Sequence, residues 1–199
     1  MRQRKTGLTS PPQIGIGADT NLYSRMHKAR AVRTLNQLRR AHDRYPLRAH
    51  WLDVGAGPSH MRAKLEHEFA PLVAHVSDVN LDLEPYPYPD NYFETITHFE
   101  VIEHLFNPLF HMQELRRILS PSGNLFLTTP NDCSLIYKAE HLLSRKYRPH
   151  FHQFSTRDLE DLCGLAGFRI IDMHKFFKSA SGTIARISRN GIFLHAKID

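Results

Sequence analysis

Residues 51–59 have the sequence Trp-Leu-Asp-Val-Gly-Ala-Gly-Pro-Ser, in which a short apolar run stops at two closely spaced glycines. The run predicts a buried β-strand from His50 to Val54, and helical periodicity resumes from His60 to Phe69. Because glycine has no Cβ, the backbone at Gly55 and Gly57 can approach a bound molecule closely. The segment therefore predicts a strand, a glycine turn and a helix whose first N–H groups face a ligand. A glycine turn of purely structural purpose is the alternative.

Strands and helices alternate along the rest of the chain. Short apolar runs bounded by turn residues predict further strands at Leu72–Val76, Tyr92–Phe99, Asn124–Thr129, Phe168–His174 and Gly191–Lys197. Apolar residues at helical spacing predict helices at Tyr23–Arg44, Pro108–Leu119 and Thr156–Ala166. The pattern predicts an α/β fold, a doubly wound and mostly parallel sheet with helices on both faces. Residues 21–199 are expected to form this one domain, after a flexible arm over residues 1–20.

Length and composition agree with one globular domain. The chain has 199 residues, of which 41% are hydrophobic and 23% charged, so neither disorder nor a fibrous repeat is indicated. No apolar run reaches the roughly 20 residues that cross a bilayer, and the first residues lack the apolar stretch of a secretory signal. We therefore expect a cytoplasmic protein without a membrane span. Cys133 and Cys163 form no Cys-x-x-Cys pair, which argues against a disulfide framework or a cysteine zinc site.

The positive charge of the chain is unevenly distributed. The formal net charge is +6, and arginine and lysine concentrate before residue 50 and recur at Arg145, Lys146 and Arg148. Such clusters attract phosphate groups and nucleic acid, which makes RNA one candidate partner. The alternative is that these charges form the solvated faces of helices.

Five motifs follow one another in order between residues 51 and 131. They are Trp51–Ser59, Tyr88-Pro-Asp-Asn-Tyr-Phe-Glu94, Glu100-Val-Ile-Glu-His-Leu105, Leu115-Arg-Arg-Ile-Leu-Ser-Pro-Ser-Gly123 and Thr128-Thr-Pro-Asn131. Together they resemble the class I S-adenosyl-L-methionine (SAM)-dependent methyltransferases, in the broad branch that contains ubiquinone-biosynthesis O-methyltransferases. Gly164-Leu-Ala-Gly-Phe168 is similar to the same branch. The resemblance covers residues 51–171 and implies a Rossmann-like methyltransferase fold, with SAM as the cofactor.

The resemblance implies a cofactor role for residues at the ends of the first two strands. Asp53 would hold the amino group of the methionine part, which a carboxylate can do through a charge-assisted hydrogen bond. Gly55 and Gly57 would line the methionine part, and Asp78 would bind the ribose hydroxyls. Ser59 stands where the family often has a third glycine. The competing interpretation, a nucleotide-dependent dehydrogenase, requires Gly-x-Gly-x-x-Gly at the start of its helix, but Gly57 is followed by Pro58-Ser59-His60, with no glycine in the third place.

A second departure from the family follows the second predicted strand. Too few residues lie between positions 78 and 87 for the helix and strand that the family usually places there. Asp82 or Leu83 is therefore expected to supply the wall for the adenine ring. His98 and Phe99, at the end of the next predicted strand, are expected to face the cofactor.

Four histidines lie near the predicted strand ends, where a methyl acceptor would bind. Methyl transfer from a sulfonium is an in-line displacement, so the protein aligns the acceptor and removes its proton when it is a hydroxyl. Histidine suits that proton transfer because its ordinary pKa is near neutral. The candidates are His98, His104, His150 and His152, and we predict His104 and His152 as the catalytic residues. Each of the four can instead be a packing or surface residue.

Glu100, Glu103 and His104 are spaced at i, i+3 and i+4, which places them on one face if the segment is helical. Two carboxylates and an imidazole can hold a divalent metal, with His150 or His152 as a further ligand. The pattern resembles small-RNA methyltransferases that modify a terminal 2′-hydroxyl through a bound metal, which lowers the pKa of that hydroxyl. It also resembles many small-molecule methyltransferases for which no metal is assumed, and there Glu103 and His104 would support the cofactor loop.

Residues 131–152 are a predicted substrate lid, because insertions beside a cofactor commonly cover the substrate. A plain amphipathic helix at Leu135–Leu143 is the alternative. The predicted function is SAM-dependent methylation of a hydroxyl on a small molecule, namely a glycan, a lipid-linked or a quinone-like precursor. Metal-assisted 2′-O-methylation of RNA is one alternative, and a non-catalytic SAM-binding protein is another.

Overall fold

In a computed structural model of the chain, the described residues are 20–55, 64–65, 67–69, 74–76, 79–131, 151–176 and 191–198. Several predicted features lie outside these ranges, and they are the N-terminal arm up to residue 19, Gly57, Asp78, His150 and residues 132–150 of the predicted lid.

Six strands in the described ranges form one sheet. In chain order they are β1 (Trp51–Val54), β2 (Ala74–Val76), β3 (Phe93–Phe99), β4 (Leu119–Pro130), β5 (Phe168–Phe176) and β6 (Gly191–Ile198). Their order across the sheet is β2-β1-β3-β4-β6-β5. The pairs β1–β2, β1–β3 and β3–β4 are parallel, whereas β6 runs antiparallel to both β4 and β5. The predicted α/β architecture with a mostly parallel sheet is therefore confirmed.

Helices pack on both faces of this sheet. In the described residues they are α1 (Thr20–Arg44), α2 (Pro108–Ile118) and α3 (Thr156–Ala166). Neighbouring strand residues point to opposite faces, so Trp51 joins the apolar cluster with Leu38 of α1, while Leu52 joins the cluster with Met112 of α2 and Leu159 of α3. Among the described helices, none is long and apolar enough to cross a membrane.

A short irregular segment joins β2 to β3. Its described residues, 79–92, add no strand, so β2 lies at one edge of the sheet. The guanidinium of Arg117 on α2 holds the segment by donating to the carbonyl oxygens of Tyr86 (2.9 Å) and Tyr88 (2.8 Å) and to the carboxylate of Asp90 (2.8 Å). Several hydrogen bonds to one planar cation therefore fix this segment against α2.

The junction between α2 and β4 differs from the prediction. The sequence predicts a helix through Leu119, a turn at residues 120–123 and a strand from Asn124. In the structure α2 ends at Ile118 and β4 already begins at Leu119. Leu119 pairs with Phe93 of β3 and Asn124 pairs with Thr95, which is only two residues further along β3. Residues 120–123 therefore bulge out within β4. The turn residues therefore interrupt the pairing of β4 without ending the strand.

Candidate functional site

The glycine turn follows β1 at the carboxyl ends of the parallel strands, where β3 also ends. Val54 is in register with His98, so the turn emerges beside the loop that follows β3. Gly55 adopts a φ of +68°, and a Cβ at this position would lie 2.5 Å from Cγ2 of Val101 in that loop. Both the backbone conformation and the packing therefore require glycine, and the absent side chain leaves room for Val101 to pack against the backbone.

A buried carboxylate lies just before this turn. Asp53 is 2% exposed, and its Oδ1 accepts a hydrogen bond of 2.7 Å from the hydroxyl of Thr97 on β3. The Thr97 hydroxyl in turn accepts a hydrogen bond of 2.9 Å from Nε1 of Trp51. Ionisable groups are rarely buried unless partners or a ligand compensate their lost hydration. Asp53 therefore offers an acceptor at the carboxyl end of a parallel strand, where α/β sheets bind ligands.

The loop after β3 does not form the helix that the spacing of its acidic residues suggests. Glu100 has a φ of +61°, and only Ile102–His104 form a single 3-10 turn. The carboxylate of Glu100 accepts from the hydroxyl of Thr128 at 3.0 Å, and that of Glu103 accepts from Thr129 at 3.1 Å. The condition under which the three residues would share one helical face is therefore not met, and the two carboxylates bond to different threonines of β4.

Glu103 brings the two predicted catalytic histidines to the same part of the molecule. Its carbonyl oxygen accepts from the backbone N–H of Phe151 at 2.8 Å and of His152 at 3.2 Å. Its carboxylate, 1% exposed, lies 4.0 Å from Nε2 of His104. Within the described ranges, no group of three or more His, Cys, Asp or Glu is arranged to hold a metal ion. The conditional metal set of Glu100, Glu103, His104 and His152 is therefore not gathered into one cluster.

His98 and Phe99 point to opposite faces of β3. The side chain of His98 is fully buried, and its Nε2 lies 2.9 Å from Nε2 of His111 on α2. Burial, and then the neighbouring His111, lower the pKa of His98 well below its ordinary value. Burial also lowers the pKa of His111 to about 4. Phe99 belongs to the apolar cluster that also contains Leu35 and Leu38 of α1. The imidazole of His98 thus lies on the α2 side of the sheet and Phe99 on the α1 side, and the expectation that they face the cofactor stays a prediction.

Asp82 and Leu83, the two candidates for the adenine wall, have different surroundings. Oδ1 of Asp82 accepts from the backbone N–H of Asn107 at 2.8 Å, next to the start of α2. Asp82 thereby ties the segment after β2 to the loop after β3. Leu83 is 75% exposed. An exposed leucine beside such a tie is available for contact with a planar apolar group, and its role as the adenine wall stays a prediction.

An exposed aromatic pair borders the same loop and was not predicted from the sequence. Phe106 is 69% exposed and Phe151 48% exposed, and their ring centroids are 3.9 Å apart. The backbone of Phe151 is the one tied to Glu103, so the pair lies next to the two histidines. In the sequence, Phe106 and Phe151 are single phenylalanines in two separate loops. No local pattern indicates that their rings are in contact.

Part of the basic region before residue 50 is already paired. The guanidinium of Arg39 donates to both carboxylate oxygens of Glu68, and Nη1 of Arg48 lies 3.9 Å from Oε1 of Glu94. These pairs favour the interpretation of the basic region as helix surface and fold contacts, because paired cations attract phosphate less strongly.

A mostly parallel sheet with a glycine turn and a buried carboxylate at the end of its first strand defines a class of α/β domains that bind nucleotide-type cofactors at this edge. Within that class, the chain belongs to a methyltransferase domain family, whose profile matches residues 26–173. It is a class I SAM-dependent methyltransferase domain, and the cofactor of the family is SAM.

Individual relatives agree with this assignment. A probable SAM-dependent methyltransferase of Mycolicibacterium smegmatis is 26% identical over 117 residues, which are 59% of this chain and 44% of the relative. The chain therefore spans less than half the length of the curated relative it matches. A SAM-dependent methyltransferase structure from Archaeoglobus fulgidus has a TM-score of 0.65 at 16% identity, covering 90% of this chain and 100% of that one. One from Thermotoga maritima has a TM-score of 0.62 at 18% identity, covering 90% and 96%. At these identities the solved structures support the fold.

Proposed function

We propose that this chain transfers a methyl group from SAM to a hydroxyl of a small molecule, such as a glycan, a lipid-linked or a quinone-like precursor. The observation that carries the proposal is the position of Glu103, which lies beside His104 and bonds to the backbone of His152 in the loop that packs on the glycine turn. Val101, which packs against Gly55, is only two positions before Glu103. An acceptor bound at the histidines would therefore lie next to a cofactor bound at the turn.

Two described residues fit the methionine part of SAM. The carboxylate of Asp53 can accept from its ammonium group, and Gly55, by resemblance to the family, would line this part of the ligand. By resemblance to the family, Gly57 would line the same part of the ligand and Asp78 would bind the ribose. Leu83 would contact the adenine ring. When bound, SAM supplies a methyl group on a positively charged sulfur, which a correctly aligned oxygen can displace.

His104 is the proposed base that removes the acceptor proton. Its side chain is 39% exposed, so a ligand can reach it, and the buried carboxylate of Glu103 lies 4.0 Å from its Nε2. His104 is thus open to an acceptor and lies beside a carboxylate that accepts a hydrogen bond from Thr129. His152, held through its backbone by Glu103, would orient the acceptor hydroxyl. Residues 131–152, which join β4 to this segment, are the proposed lid.

The exposed rings of Phe106 and Phe151 favour an acceptor with an apolar or ring-shaped body. Aromatic faces bind other flat rings and the apolar faces of sugars through contact area and electrostatic complementarity. Two aromatic rings in contact at the surface are costly to leave in water, and a ligand that covers them recovers that free energy. The pair therefore favours a quinone-like or glycan acceptor.

The proposal is tested first by isothermal titration with SAM and then by transfer of labelled methyl groups to phenols, glycans and RNA. We expect saturable SAM binding, and transfer to a small-molecule hydroxyl that depends little on salt. Removing a general base lowers the rate by about 100-fold or more, so His104→Ala should lower kcat by that factor while SAM affinity is retained. His50→Ala is the control for kcat, because His50 is exposed, stacks on Tyr92 and precedes β1 at the opposite end of the strands.

Each alternative has its own outcome in this experiment. Transfer to RNA alone, with a requirement for Mg²⁺ and a steep decrease as salt rises, would replace the proposal by the RNA function. SAM binding without transfer to any acceptor would favour a non-catalytic SAM-binding protein. Folded protein that does not bind SAM would contradict the proposed function altogether.

A further inference from the structure

We propose that Thr97, supported by Trp51, is a positioning residue that orients the carboxylate of Asp53 toward the amino acid part of the cofactor. The inference rests on the proposed role of Asp53. In this proposal, the buried Thr97 hydroxyl on β3 makes the site selective for ligands that carry an ammonium group. Thr97 itself is not proposed to touch the ligand.

The register of two parallel strands brings these groups together. Asp53 on β1 is directly opposite Thr97 on β3, and Trp51 is opposite Thr95. Trp51 and Thr97 are 0% exposed and Asp53 is 2% exposed. The three side chains lie on the same face of the sheet, because residues two apart in a strand point the same way. In this buried layer the groups cannot exchange their partners for bulk water.

The direction of both hydrogen bonds follows from the chemistry of the groups. An ionised carboxylate can only accept, so the single hydroxyl hydrogen of Thr97 is donated to Oδ1 of Asp53, over 2.7 Å. An indole N–H can only donate, so Trp51 gives its hydrogen to the Thr97 oxygen, over 2.9 Å. The two bonds run in series toward the carboxylate and polarise one another. They therefore hold one orientation of Asp53 before any ligand binds.

Thr95 shows that a threonine on this face does not contact Asp53 by default. It lies two positions before Thr97 and is also fully buried. Its hydroxyl accepts from the backbone N–H of Arg48 at 2.9 Å and donates to the carbonyl oxygen of Arg48 at 3.3 Å. Thr95 therefore secures the chain that enters β1, whereas Thr97 acts on the carboxylate. The pair gives a matched comparison of two buried hydroxyls on one strand.

The test compares two ligands that differ in the amino acid part. S-adenosylhomocysteine carries the ammonium group, whereas 5′-methylthioadenosine has the adenosine and the sulfur but lacks the amino acid. Loss of a hydrogen bond to a charged group is expected to raise the Kd of Thr97→Val for S-adenosylhomocysteine about tenfold, and to leave that for 5′-methylthioadenosine within about twofold. Thr97→Ser, which keeps the hydroxyl, should restore the wild-type ratio of the two Kd values. Thr95→Val should leave the ratio unchanged.

Thermal melts identify variants that fail to fold. Trp51→Phe then provides a second test, because it removes the donor behind Thr97, keeps an aromatic ring and leaves the Thr97 hydroxyl in place. We expect Trp51→Phe to change the Kd ratio in the same direction, by about threefold. An equal loss of affinity for both ligands, no loss for either, failure of Thr97→Ser to restore the ratio, or the same ratio change in Thr95→Val would each overturn the inference. Absence of S-adenosylhomocysteine binding in the folded wild-type protein would instead contradict the proposed function.

Discussion

Gly55 is the residue at which backbone geometry and packing constrain the site most closely. Its φ of +68° is in the left-handed region, and Cγ2 of Val101 occupies the space into which a Cβ would project. The turn thus serves two purposes, since it ends β1 sharply and lets the loop after β3 pack directly on the backbone. Position 55 cannot accept any side chain without movement of one of these parts.

Gly55→Ala should therefore reduce both the stability of the fold and the affinity for SAM. The left-handed conformation costs a residue with a Cβ about 1 to 2 kcal/mol, and the contact with Val101 adds to that cost. Denaturant unfolding measures the first effect and calorimetric titration the second. In the double variant Gly55→Ala/Val101→Ala the steric part should be recovered and the conformational part should remain. A single variant as stable as the wild type would contradict the geometry of this turn.

At the scale of one element, α3 is bounded by strong local signals. Ser155 and Asp158 form a capping box at its start, in which each side chain accepts from the backbone N–H of the other residue. Gly167 ends the helix with a φ of +80°, and its N–H donates to the carbonyl oxygen of Gly164 at 3.1 Å. Each of these two signals involves residues that are close in sequence. For this reason the predicted bounds Thr156–Ala166 agree with the structure.

Two glycines of this region should respond in opposite ways to substitution by alanine. Gly164 is exposed within the helix, and a Cβ there would meet no atom within 4 Å, so Gly164→Ala should stabilise the protein by about 0.5 to 1 kcal/mol. A Cβ on Gly167 would lie 2.5 Å from Nε of Arg116 in addition to the positive φ, so Gly167→Ala should destabilise by more than about 1 kcal/mol. Urea unfolding of both variants provides the comparison. Shifts of the same sign would contradict it.

At the scale of the whole molecule, buried histidines make stability depend on pH. Burial lowers the pKa of His98, and it lowers the pKa values of His111 and His195 to about 4. In the unfolded chain these imidazoles take up protons near their ordinary pKa of about 6.5. The folded state binds fewer protons below that value, so stability is fully present above pH 6.5 and is lost as the pH falls toward 4.

We expect the free energy of unfolding to decrease by about 1.4 kcal/mol per pH unit for each such histidine between pH 6 and 5. Glu114 and Asp158, whose pKa values are lowered by hydrogen bonds from Arg117 and Ser155, keep their contribution until lower pH. Urea titrations at half-unit steps measure the slope. His195→Gln should reduce this slope, because glutamine has no imidazole to take up a proton. The neutral amide can still donate to Asn124, so the fold is kept. A flat profile across this interval would show that these imidazoles are not neutral in the fold.

The parts of this protein that could be predicted from the sequence are those encoded by neighbouring residues. The β1 strand, the glycine turn at Gly55 and the bounds of α3 follow from apolar periodicity, glycine conformation and capping, which act over a few positions. The order of the methyltransferase motifs also lies in the linear sequence. For this reason the sequence alone predicts the α/β class and the SAM cofactor.

The remaining features depend on which strands pair and in which register. The Thr97 hydroxyl reaches Asp53 only because β1 and β3 align, and His98 faces His111 only because α2 packs on that side of β3. Glu100 and Glu103 would share a face only in a helix, but in the structure each carboxylate bonds to a different threonine of β4. These contacts join residues far apart in the chain, and their free energies become available only when the sheet assembles. Tertiary structure therefore decides the arrangement of polar groups around the site, because each buried polar group takes the partner that the completed sheet provides.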